Sequence, residues 1–364
     1  MRISEIIDAI EQLAPTAYQE SYDNSGLICG DRDLTATGAL LSLDCTEEVI
    51  AEAIETGCNL VISHHPILFS AIKRLTPSSH VERTLITAIR NNIAIYACHT
   101  NLDNVRTGVN KHICDKLGVQ NQRILVPQKG TLKKIVTFVP ETHLDVVRQA
   151  MFSAGAGHIG NYDSCSFSHE GEGTFRGNDQ AKPFIGAPGQ LSHQKEKRLE
   201  VVTDHARINP VIRALHVAHP YEEVAYDVYA LENAHPSVGS GMLGDLAAET
   251  GEKDFLALIK NALGCKMIRH TALTGKKIKK VAVCGGSGRF LLKNAISAGA
   301  DVFVTADFKY HEFFEVEGRL LLVDAGHYET EHLVPEIFYG FLKEKFSTFA
   351  VRLSKINTNP VNYF

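Results

Sequence analysis

Tryptophan is missing from this chain of 364 residues, and methionine is scarce, with four residues. Other absences exclude more. The eight cysteines, at 29, 45, 58, 98, 114, 165, 265 and 284, form no Cys-x-x-Cys pair. That removes a zinc ribbon, and the spacing is too dilute for a disulfide scaffold, so they read as reduced thiols. Neither sign of charge dominates. With 42 acidic against 37 basic residues the formal net charge is -5, which leaves no basic field to grip a phosphate backbone and no strong nucleic-acid signature. No apolar run approaches the roughly 18 residues of a membrane span, and the first residues are an acidic amphipathic segment where a secretory signal would start basic and turn apolar. The expected setting is cytoplasmic, without a membrane partner.

What remains is an ordinary globular balance, 44% hydrophobic and 22% charged, over a length that suggests two or three domains at roughly 100 to 200 residues each. Ile3, Ile6, Ile7, Ile10 and Leu13 recur at helical spacing. From Gly38 onward, apolar strands at 39–43, 60–62 and 93–97 alternate with helices at 47–56, 81–91 and 109–117, the first with Thr46 as its N-cap. The rhythm returns with a helix at 254–263, strands at 279–284, 302–305 and 320–324, a helix at 329–342 and a last strand at 349–353. Between these halves the character changes. Residues 155–189 are rich in Gly, His, Ser and Asp, and the turn-forming segments 126–130 and 233–241 read as linkers. The expected fold is α/β: a two-part α/β body with a central sheet over 1–126 and 240–364. Into it is inserted a ferredoxin-like α+β domain over 127–239, with strands at 134–139, 199–202 and 225–231 and helices at 143–154 and 210–216.

In open α/β sheets ligands bind beyond the carboxyl ends of the strands. Those ends are where the polar residues fall. The second strand runs into Ser63-His64-His65-Pro66, the third into Cys98-His99-Thr100-Asn101-Leu102-Asp103, and a late one through Asp324 into Ala325-Gly326-His327. Glu331 stands four residues after His327, one helical turn on the same face. With 17 histidines, roughly 0.7 His-His pairs are expected by chance, so His64-His65 alone says little. Three strand ends delivering imidazole or carboxylate to one edge say more: His64, His65, Asp103, His327 and Glu331 form a candidate metal set. Adjacent histidines project in different directions, which suits two neighbouring ions, with a carboxylate such as Glu331 between them. The bland alternative is a solvated Glu329, Glu331 pair on a helix surface.

Other segments carry two readings each. Gly285-Gly286-Ser287-Gly288 follows a strand and could present amides to a phosphate, but it lacks the P-loop lysine and the dinucleotide spacing, so a tight turn is the simpler role. Asp307, Lys309, Tyr310 and His311 are either a solvated helix start or support for the metal set. Cys98 beside His99 reads as a buried thiol rather than a nucleophile, and Asp23-Asn24-Ser25-Gly26 as a turn. His219-Pro220-Tyr221-Glu222-Glu223 has metal-capable groups but reads as an interface loop.

Several of these motifs occur together elsewhere. Tyr22-Asp23-Asn24-Ser25-Gly26-Leu27, Ser63-His64-His65-Pro66, His99-Thr100-Asn101-Leu102-Asp103, Gly285-Gly286-Ser287-Gly288 and Gly326-His327-Tyr328-Glu329-Thr330-Glu331 stand in the order found in the GTP cyclohydrolase I type 2 homologs, the NIF-three-like family, which the chain resembles over nearly its whole length. Tyr22 replaces the family's usual Trp. The resemblance implies a dinuclear metal site with His64, His65, Asp103, His327 and Glu331 as ligands, holding two divalent transition-metal ions per chain, zinc first and iron or manganese as alternatives. It also implies a toroidal homohexamer and, in longer members, an inserted domain of the PII and CutA type. The activity implied by the family name is a GTP cyclohydrolase. Two functions follow as expectations: a metal-dependent hydrolase acting on a nucleotide or related phosphate compound, or a non-enzymatic regulatory or metal-handling hexamer. No general acid or base is assigned from the sequence.

Overall fold

Three short apolar runs, Ala39–Ser42, Leu60–Ser63 and Ala94–Ala97, are buried along their whole length. Strands covered on both faces favour a parallel sheet, and these three pair in parallel, with Val351–Leu353 parallel at one edge and Gly26–Cys29 antiparallel at the other. The crossover helices are set by local chemistry. Glu47–Thr56 starts where the Thr46 hydroxyl accepts from the Val49 amide and stops at Gly57, whose φ of 70° is left-handed. His80–Arg90 starts where Ser79 accepts from the Glu82 amide. These helices bury Val49, Ile50, Ala53, Leu85 and Ala88 against Leu40, Val61 and Ile95 of the sheet, each large aliphatic side chain contributing about 1.5–3 kcal/mol.

The computed structural model describes residues 1–364. By its contacts the chain divides into two compact units, Met1–Pro127 with Ser237–Phe364, and Gln128–Pro236. The first unit holds the sheet above and a second, six-stranded one. Its central strands, Lys277–Ser287, Val302–Ala306 and Leu321–Asp324, are again parallel, over a core of Phe303, Leu322, Leu291, Leu292 and Phe308.

The second unit is a four-stranded antiparallel sheet in the order Ser166–Phe175, Ser192–Asp204, Leu132–Pro140, Tyr226–Ala230. Helices Leu144–Ser153 and Ile208–Ala218 supply Val147, Met151, Val211 and Leu215 to a core with Ile135, Val139, Leu199 and Val201. The mixed α/β class read from the sequence is the class observed. No helix is long and apolar enough to cross a membrane.

Three local expectations are corrected. The segments 126–130 and 233–241 are not loops: they lie within or at the ends of strands Val119–Lys129 and Ala234–Gly251. Val119–Lys129 is the edge strand of its sheet, where Pro127 can be accommodated because an edge has one unpaired side. The single helix expected at 329–342 is two, His327–Glu331 and Val334–Lys345. Pro335 lies in the first turn of the second; it lacks an N–H, and its ring would strike the carbonyl of residue 331 in a continuous helix. Within the polar stretch 155–189, Ser166–Phe175 is a strand, held by pairing with Ser192–Val201 rather than by an apolar face.

Candidate metal centre

The carboxyl ends of the parallel strands in both sheets supply one cluster. Leu60–Ser63 runs into His64 and His65, and Ala94–Ala97 into His99 and the one-turn helix Thr100–Asp103. Leu321–Asp324 turns through Gly326 into His327–Glu331. Gly326 has φ 101°, and a Cβ there would lie 2.1 Å from Glu329 Oε2, so this strand-to-helix turn requires glycine.

All five residues singled out from the sequence meet. His327 Nε2 lies 2.9 Å and His65 Nε2 3.0 Å from Glu331 Oε2. On the other side of the same carboxylate, His64 Nε2 lies 3.9 Å from Glu331 Oε1 and 3.7 Å from Asp103 Oδ1. The five side chains form two ligand-distance groups, His65, His327, Glu331 and His64, Asp103, Glu331, joined by Glu331, and a third group brings His99 to His64 and His65. That carboxylate is 3% exposed, which removes the reading of a solvated helix residue.

The imidazoles share one arrangement. His64 Nδ1 lies 2.9 Å from the Cys98 carbonyl, so it must donate, leaving Nε2 with its lone pair. His65 Nδ1 donates to Asp44 Oδ1 at 2.7 Å and His327 Nδ1 to Asp307 Oδ2 at 2.7 Å. Each acceptor fixes its ring so that Nε2 faces the cluster, the outer-shell pattern of metal-ligating histidine. A fourth ring behaves alike: His99 Nδ1 donates to Asp23 Oδ1 at 2.8 Å, and its ring stands 5.2 Å from His64 and 5.4 Å from His65.

The electrostatics are those of a site short of positive charge. Burial disfavours every charged form here. It lowers the pKa of His64, leaving a neutral ring. It would lower His65 and His327 too, but Asp44 and Glu331 raise the first to about 9, and Asp307 and Glu331 raise the second to about 11. Burial and the charge of Glu331 push Asp103 well above the usual carboxylate range, while the three histidines hold Glu331 well below it despite its burial. Two atoms, His64 Nε2 and Asp103 Oδ1, are shielded from solvent and have no hydrogen-bond partner. Buried polar atoms are almost always partnered, and a cation between them would satisfy both.

The family model for Duf34/NIF3 (NGG1p interacting factor 3) matches residues 1–360. The chain belongs to this family. It is 36% identical over 363 residues to a Halalkalibacterium halodurans protein named GTP cyclohydrolase 1 type 2 homolog, covering 98% of both chains. A Bacillus subtilis protein of the same name is also 36% identical, over 99% of this chain and 98% of its own. Among solved structures, a Bacillus cereus protein related to NIF3 superposes with a TM-score of 0.86 at 37% identity, covering 100% of this chain and 99% of that one.

Sequence reasoning missed several parts of this NIF3-family site. Asp23, read as a turn residue, accepts from His99, the Thr100 amide and hydroxyl, the Ser25 hydroxyl and the Asn24 amide. Asp44 carried no motif, yet it fixes His65 and is itself bonded by the Thr358 hydroxyl from the C-terminal segment. Asp307, a candidate support for the metal set, is the acceptor for His327, and its φ of 61° has no signature in the sequence. The Gly285-Gly286-Ser287-Gly288 amides are largely committed within the fold: Gly285 N to Asn110, Gly286 N to Thr330 and Gly288 N to Thr305. A Cβ on Gly286 would lie 2.3 Å from Glu331 Oε1. The loop's visible work is to let Glu331 approach. Cys98 is fully buried and that burial pushes its thiol pKa up, as the reading of a buried thiol expects.

Proposed function

We propose that the unit of Met1–Pro127 and Ser237–Phe364 holds two divalent transition-metal ions, zinc before iron or manganese, and that the pair serves hydrolysis of a nucleotide or related phosphate compound. The observation that carries the reading is the sharing of Glu331: each of its oxygens faces a different imidazole group, Oε1 towards His64 with Asp103 and Oε2 towards His65 with His327. A carboxylate can bridge two ions, whereas an imidazole whose Nδ1 is committed offers one nitrogen. Mixed imidazole and carboxylate donors suit these metals better than calcium. Bound there, such a pair would supply Lewis acidity, lowering the pKa of water towards neutrality and stabilising charge on a leaving oxygen.

The chain's own residues do the rest. His64, His65 and His327 keep Nε2 turned inward because Cys98 O, Asp44 and Asp307 accept a hydrogen bond from the other nitrogen. His99, held by Asp23, presents its Nε2 beside His64 and His65; it is the side chain placed to hydrogen-bond a substrate atom next to the ligand set. A cavity of about 760 Å3 opens over these residues, with Tyr22, Phe69 and Phe290 among its walls, enough room for a nucleotide-sized molecule and apolar surface for a base.

The test uses unmodified protein and three variants. Elemental analysis is expected to give two metal ions per chain, with metal lost in His64→Ala and in His327→Ala. Against a panel of nucleotides and phosphodiesters, product is expected from the metal-loaded protein and not from Asp103→Ala. Unchanged stoichiometry in both histidine variants contradicts the ligand set. Silence across the panel at full metal loading favours the second reading, a regulatory or metal-handling assembly, for which the separate core of Gln128–Pro236 speaks. On either reading we propose a homohexamer, whose mass in solution would be about six times the 40.0 kDa of one chain.

A further inference from the structure

The unit Gln128–Pro236 contains a cavity of about 620 Å3 that the metal reading does not use. Its position follows from strand alternation. Leu199 and Val201 face the helices in the core, so Glu196, an odd number of residues away, faces the opposite side of the sheet. There it is paired in register with Gly171 and Pro140 and lines the cavity.

Glu196 is 9% exposed, and its one hydrogen-bond donor is neutral: the Tyr221 hydroxyl, 2.8 Å from Oε1. Of the adjacent cations, Lys197 pairs with Glu141 and Glu170, and Arg198, which also lines the cavity, pairs with Glu200 rather than Glu196. The other oxygen, Oε2, lies over Gly173, where a Cβ would stand only 2.3 Å away, so the missing side chain makes the room for this carboxylate. A buried carboxylate without a cation is costly unless something completes it.

The rest of the cavity says what would. Phe175 and Phe184 each place a ring 6.2 Å from that of Tyr221. Tyr221 is set by His219, which accepts from the Tyr221 amide on Nδ1 and donates from Nε2 to the Phe138 carbonyl. The covering loop is tied down by Gly189 N to Gly177 O and by Lys182 N to Glu222 Oε1. Aromatic faces attract cations, and a charged donor on a carboxylate makes a stronger bond than a neutral one.

We propose that this cavity binds an organic cation, a protonated amine carried on a flat apolar body, with Glu196 as the anion it meets and Phe175, Phe184 and Tyr221 as walls. The stretch around 176–185 and the His219 to Glu223 motif are then the two sides of one site. Arg176, exposed at the same cavity, would favour an anion instead, and the test separates the two.

The full-length protein is titrated calorimetrically at neutral pH with phenethylamine, its neutral counterpart 2-phenylethanol, and 3-phenylpropionate. The amine is expected to bind once per chain, at least about tenfold tighter than the alcohol, the difference one charge-assisted hydrogen bond makes. Glu196→Gln should abolish that preference. Tyr221→Phe, which keeps the carboxylate and removes its neutral donor, should retain it. No heat from the amine, equal affinity for amine and alcohol, preference for the carboxylate, or an undiminished amine preference in Glu196→Gln would each overturn the proposal. The amine-against-alcohol comparison on the unmodified protein decides even if Glu196→Gln does not fold.

Discussion

Eight of the 17 histidines lie in the unit Gln128–Pro236, nine in the rest of the chain, yet every group of ligand-distance side chains forms in the rest. The difference is one of placement. In the larger unit the rings sit at the carboxyl ends of parallel strands, where the backbone stops pairing and side chains converge, and each has an acceptor on Nδ1 that turns Nε2 inward. In the smaller unit His169 and His193 lie on exposed strand positions, one bonded to the Glu170 carbonyl and one paired with Glu172. His219 has both nitrogens satisfied. Histidine count carries no chemistry; a fixed ring whose second nitrogen is turned towards a shared carboxylate or imidazole does.

The contrast can be broken by unsettling one unit and watching the other. Leu215 is fully buried among Val147, Met151 and Val211, and Leu215→Ala should cost the smaller unit about 2–5 kcal/mol through lost burial and the cavity left behind. Hydrogen exchange should show that loss confined to 128–236, with metal content unchanged. Metal loss in step with exchange would mean that the two units do not stand on separate cores.

A smaller effect sharpens the other half of the comparison. Asp23 collects five donors on one carboxylate, and an amide in its place turns one acceptor into a donor facing donors. Asp23→Asn should cost about 1–3 kcal/mol at neutral pH. The pH dependence has a definite sign. Burial would raise the pKa of Asp23, but the bonds from His99, Thr100 and Asn24 hold it below its ordinary value near 3.8. Stability from such a group is present above the unfolded pKa and lost as pH falls through the folded one. The gap between wild type and Asp23→Asn, measured by denaturant unfolding, should therefore be full at pH 7, begin to narrow only below about pH 4 and keep narrowing as the pH falls further. A gap independent of pH would mean that the charge of Asp23 does not support the fold.

The alternation of strand and helix and the convergence of His64, His65, Asp103, His327 and Glu331 were legible because both depend on local pattern: apolar runs of four or five residues, and polar residues immediately after them. What was hidden depends on distance along the chain. Asp44 reaches His65 across 21 residues and Thr358 reaches Asp44 across 314, pairings that no spacing rule encodes. Asp23 looked like a turn because its own neighbours are turn formers; its bonds to His99 and Thr100 cross 76 and 77 residues. The strand Ser166–Phe175 was invisible for another reason. Every one of its residues is exposed or half-buried, so it carries no alternation to read.

The central claim is that one carboxylate holds two ions together. Glu331→Gln keeps the size of the side chain and removes the charge that two divalent ions share, and the occupancy of both sites can be followed by metal titration of that variant beside the unmodified protein. Both sites are expected to weaken together. Loss of one site, with the other at its original affinity, would contradict it.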